Sequence, residues 1–160
     1  MAEAMMCHYQ YNSWTMDYSR ATKTYLHAIL QLFGGGCGIA SCLVICIELD
    51  FTLGHLHGRL GFAAFILCCI SFISGFLAFF SKYFKVCVSP LLNKTVHNVL
   101  GIVTFALGQC TQYYGYQFAF YLKKPWDLLI LLQVITLIIL VLACWGPLKS
   151  LSHKYVSLAS

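Results

Sequence analysis

Charge is what this sequence has least of. Only 9% of its 160 residues are charged, against roughly 25% in a soluble domain, which excludes an ordinary water-soluble globule. Acidic side chains number five, and none lies between Phe51 and Trp126. A small metal transporter, which needs carboxylates within its spans, is therefore disfavoured. No CxxC pair occurs among the nine cysteines, most of which sit inside apolar runs. They read as small buried hydrophobes rather than as a disulfide framework. No basic run with interleaved aromatics suggests nucleic acid. Met1-Ala-Glu-Ala-Met-Met-Cys is too short and polar for a secretory leader and has no basic n-region.

What is present is apolar surface: 60% of the chain is hydrophobic and the mean hydropathy is +0.78. At this length one domain is the natural count. After a polar and aromatic stretch from Tyr9 to Tyr25, four apolar segments follow, at about 25–47, 57–80, 95–117 and 126–148. Each is near the ~20 residues that cross a bilayer, and a span must satisfy its own backbone, so helix is expected. The fold class is all-α, a multi-pass transmembrane four-helix bundle. Its parts are an N-terminal stretch 1–24, a transmembrane domain 25–148 and a tail 149–160.

Loop charges orient the bundle. Arg20, Lys23, Lys82, Lys85, Lys94, Lys149 and Lys154 fall on one side, seven of the ten cations. Arg59, Lys123 and Lys124 fall on the other, with Glu48, Asp50 and Asp127. The positive-inside rule puts both termini and the 82–94 loop in the cytosol. The sequon Asn93-Lys-Thr95 is then cytosolic and unused.

Three histidines break the apolar pattern. His97 opens the third segment, with Gly101 four residues later and Gly108 eleven later, offsets that return to nearly one helical face. His57 has Gly61, Ala64 and Cys68 below it, and His27 has Gln31, Gly34 and Gly38. In the predicted topology His27 and His97 lie at the same depth near the cytosol, and His57 at the opposite end. An intramembrane imidazole is costly and marks function by default. Two facing imidazoles over a stripped strip suggest axial ligation of haem iron with no open position, which favours electron transfer. Close helix packing is the competing explanation for the glycines. His8 and His153 read as solvated, and His55 as an interfacial residue in or near a loop. Arg20, Lys23 and Lys94 read either as topology anchors or as a cationic rim for an anionic reductant.

His27-Ala-Ile-Leu-Gln31, His57-Gly58-Arg-Leu-Gly61 and His97-Asn-Val-Leu-Gly101 resemble the third, fourth and fifth helices of the cytochrome b561 family. The likeness is to the cytochrome b561 domain-containing proteins of animals and runs from about Met1 to Lys154. Members have six helices and two b haems, each held by two histidines. They pass electrons from cytosolic ascorbate to ferric iron or monodehydroascorbate across an endomembrane vesicle or plasma membrane.

The resemblance implies that this bundle is helices three to six of that core, and that His27 and His97 hold the cytosolic haem b. It makes His57 one ligand of a second haem, and it places ascorbate near Arg20, Lys23 and Lys94, with His55 a looser match. It also implies that the first helix, most of the second and the fourth ligand are absent, with Met1-Ala-Glu-Ala-Met-Met resembling the second helix's tail. The lipid bilayer and a second copy of the chain are the expected partners. The alternative is a non-catalytic truncated isoform that at most modulates a full-length partner.

Overall fold

The computed structural model describes residues 1–9, 12–48, 53–81, 83, 89–120 and 126–159, with side-chain detail to residue 117 in the fourth helix and 152 in the fifth. Five helices follow in order: α1 (Ala2–Met6), α2 (Arg20–Glu48), α3 (Leu56–Phe79), α4 (Pro90–Phe120) and α5 (Trp126–Ala159). Among the described residues no strand occurs. The expected all-helical membrane bundle is what the chain forms.

Local chemistry sets the helix starts. The Thr22 amide donates to Ser19 Oγ at 3.1 Å, an N-cap that begins α2 ahead of the expected entry at Tyr25. Ser89 does the same for α4 through the Leu92 amide at 3.2 Å, with Pro90 at the first helical position, where its missing N–H costs nothing. The caps lie in the polar margin, so these helices start before their apolar runs do. At the other end α5 continues through the predicted tail to Ala159, past the apolar run ending near Leu148. It passes Pro147, whose carbonyl accepts from Asn98 Nδ2 of α4 at 3.3 Å.

Three of the four long helices, α2, α3 and Trp126–Ser152 of α5, are long and apolar enough to cross a membrane. At 31 residues α4 is longer than either α2 or α3, but His97, Asn98, Gln109 and Gln112 dilute its apolarity. Two of them, His97 and Asn98, meet neighbouring helices.

Packing runs mainly between α3 and α4, then between α4 and α5. Phe105 of α4 and Ala143 and Cys144 of α5 form a buried cluster with Met5 of α1. The short α1 is thereby docked on the bundle. Against α2, the backbone nitrogen of Met1 lies 3.1 Å from where a Cβ on Gly34 would stand. At the adjacent Gly35, Phe72 of α3 fills the space where a Cβ would stand.

Large apolar side chains point outward, including Leu32 at 68%, Phe33 at 76% and Ile47 at 78% exposure. In water this would be an aggregating surface; against lipid tails it is the expected one. The thiols follow the same logic. Cys7 and Cys144 are buried, whereas Cys37 and Cys110 are exposed on helix faces, so the expectation that the cysteines are mostly buried holds only in part.

Candidate functional site

Helices α3 and α4 each press a histidine into a glycine of the other. Cε1 of His97 lies 2.9 Å from where a Cβ on Gly75 would stand, and Cε1 of His57 lies 2.9 Å from the same point on Gly115. On both helices the glycine and the histidine are eighteen residues apart, five full turns, which returns them to the same face. Two antiparallel helices with this spacing lock reciprocally, setting the imidazoles about 27 Å apart along the bundle.

His27 of α2 meets His97 with ring centres 6.1 Å apart and planes at 87°. A metal–imidazole bond is about 2 Å, and a nitrogen lies roughly 1 Å from its ring centre, so two imidazoles sharing one ion have centres about 6 Å apart. The pair therefore has room for a single metal centre between its rings. No cluster of three or more His, Cys, Asp or Glu among the described residues is arranged for a metal ion.

All three ring orientations are fixed through Nδ1. That of His27 donates to the Ala4 carbonyl at 2.7 Å, and that of His57 to the Thr111 carbonyl at 2.9 Å. A carbonyl only accepts, so Nδ1 carries the proton in both and Nε2 keeps its lone pair. His97 reaches the same state through Ser74, whose hydroxyl donates to the Ser71 carbonyl at 2.9 Å and receives Nδ1–H at 3.1 Å. Neutral imidazole with a bare Nε2 is a metal-ligand form.

Below the pair, a Cβ on Gly101 or Gly108 would meet no atom of the described residues within 4 Å. Gln31 Oε1 and Thr104 Oγ1 are buried without a hydrogen-bond partner, one turn past His27 and two turns past His97. Gly36, Gly38 and Gly54 are open in the same way, whereas other glycines are filled. Gly61 meets Thr111 at 3.3 Å, and Gly34 meets Met1. The two explanations for glycine thus divide by position, with packing at Gly34 and Gly61 and open space under His97.

Arg20 and Lys23 sit at the start of α2, below His27, and Lys23 Nζ donates to the Met16 carbonyl at 3.3 Å. Lys94 is exposed one turn before His97 on α4. His55 caps the N-terminal end of α3 and is exposed, on the side of the bundle that holds His57, away from Arg20, Lys23 and Lys94. Lys82, Lys85, Lys123, Lys124 and Asp50 lie outside the described residues, as do the side chains of His153 and Lys154.

His8 departs from its expected solvation. One side is exposed, but its ring lies 5.7 Å from that of His27. Loss of water on that inner face, then the charges of His27, Arg20 and Lys23, push its pKa down to about 4. Next to it, burial and then Glu3 push the Cys7 thiol up. Sequence reading missed His8, Ser74, Gly75 and Gly115 as parts of these sites. Only the repeated eighteen-residue spacing of His and Gly could have pointed to the two glycines.

No curated protein matches this chain, and no solved structure does. The family model for eukaryotic cytochrome b561 matches residues 1–123, from α1 through α4 and across all three intramembrane histidines. By that match the chain belongs to the eukaryotic cytochrome b561 family.

Proposed function

We propose that this chain passes electrons across a membrane through haem b, as an ascorbate-dependent reductase of ferric iron or monodehydroascorbate. Family membership supports haem-based transmembrane electron transfer. The observation that carries the finer reading is the His27–His97 pair, with ring centres 6.1 Å apart and both Nδ1 atoms engaged. The open strip at Gly101 and Gly108 suits a flat macrocycle.

When bound, haem b supplies a one-electron couple whose potential follows its axial ligands and burial. His27 and His97 would hold it through their bare Nε2 atoms. The Ala4 carbonyl and Ser74 keep those rings in the ligating tautomer. Arg20, Lys23 and Lys94 would raise the local concentration of an anionic reductant at the cytosolic end. No covalent catalysis by side chains is needed. His57, about 27 Å away along α3 and α4, would be one ligand of a second haem. Completing that site takes a further histidine.

The test is the visible spectrum and haem-to-protein ratio of the detergent-purified chain, with and without ascorbate, beside His97→Ala. One haem b per chain, reduced by ascorbate and lost in the variant, supports the reading. A chain without haem would favour the rival, a non-catalytic membrane isoform that modulates a full-length partner.

A further inference from the structure

The three intramembrane histidines share one tautomer but reach it by different means. His27 and His57 each donate Nδ1–H to a backbone carbonyl, which no substitution can remove. His97 differs in having a side chain at Nδ1 as well, Ser74 Oγ at 3.1 Å, beside its bond to the Ser71 backbone. Ser74 stands beside Gly75, so a single dipeptide of α3 does two things. Gly75 leaves the space that the ring occupies, and Ser74 accepts its proton. Because the Ser74 hydroxyl proton is already committed to the Ser71 carbonyl, the oxygen can only accept from His97.

We infer that Ser74 is a positioning residue for His97, holding Nε2 bare and aimed toward His27 and making that nitrogen more basic than it would be without the bond. The consequence for the haem rests on the function proposed above, whereas the consequence for the imidazole does not. A hydrogen bond accepted from Nδ1–H raises the basicity of the opposite nitrogen. A more basic axial ligand favours ferric over ferrous iron, so Ser74 holds the potential of this site down. The substitution Ser74→Thr would keep the hydroxyl; Ser74→Ala would remove it and leave the helix intact.

Two measurements separate the inference from the reading it rests on. In the haem-free full chain, imidazole ¹⁵N shifts should report His97 protonated at Nδ1. Ser74→Ala should give a mixture of tautomers, and Ser74→Thr should restore the single one. In the haem-loaded chain, redox titration of Ser74→Ala should move the equilibrium toward the ferrous form by up to about tenfold, which is 59 mV for one electron. Its low-spin electron paramagnetic resonance signal should shift, and Ser74→Thr should behave as the parent. An unchanged tautomer, potential and spectrum in Ser74→Ala would overturn the inference alone. Failure of the parent chain to take up haem would overturn the proposed function and the redox half of the inference. The tautomer result would still decide the positioning role.

Discussion

The ring of His97 occupies the volume that any side chain at Gly75 would need, its Cε1 2.9 Å from the missing Cβ. Helix α3 thus fixes where an imidazole of α4 stands, and α4 does the same for α3 through Gly115 and His57. Glycine here is neither a turn nor a hinge. It is the space into which a neighbouring ring fits.

Gly75→Ala should therefore displace His97, although alanine in a helix interior is otherwise favoured by about 1 kcal/mol. The expected result is a roughly 10- to 100-fold loss of haem affinity at unchanged helicity, read by haem titration and circular dichroism. Gly115→Ala should spare this site, because it displaces only His57. Equal loss in both variants would mean that the glycines act through general packing.

Neutralising the cationic start of α2 should affect reductant encounter and not haem binding. Arg20→Gln with Lys23→Gln is expected to raise the KM for ascorbate several-fold and to flatten its dependence on ionic strength. Reduction by dithionite at saturating concentration should be unaffected. A matched slowing with both reductants would point to damage at His27 instead.

Phe105 is 6% exposed and joins α4 to α1 and α5. In water, Phe→Ala in a core costs about 3–5 kcal/mol. Within a bilayer, lipid tails are as apolar as the core, so only the packing part of that cost remains. Phe105→Ala should destabilise the bundle by roughly 1–3 kcal/mol, visible as a lower Tm in detergent. A change like that of an outward residue such as Phe33→Ala would mean that this cluster does not hold α1 in place.

The orientation drawn from loop charges places Asn93-Lys-Thr95 in the cytosol. The chain made in a glycosylating membrane system should migrate identically with and without Asn93→Gln. A mobility difference abolished by glycosidase would invert the topology, and with it the assignment of His27 and His97 to the cytosolic face.

The apolar helices themselves were legible along the chain, because a span depends on local composition, whereas the caps that start α2 and α4 early were not read. Apolar runs of bilayer length force backbone hydrogen bonding inward. His27, His57 and His97 also stood out alone, since an imidazole in an apolar run needs a reason. What a periodic pattern cannot hold is the register between helices. That Gly75 rather than Gly108 receives His97, that Ser74 accepts its proton, and that His8 turns back onto His27 are contacts between residues distant in the chain. Side-chain periodicity fixes only which residues share a face. Which face meets which, and at what height, was decided by the packing of α3 on α4 and by the docking of α1 against α2 and α5.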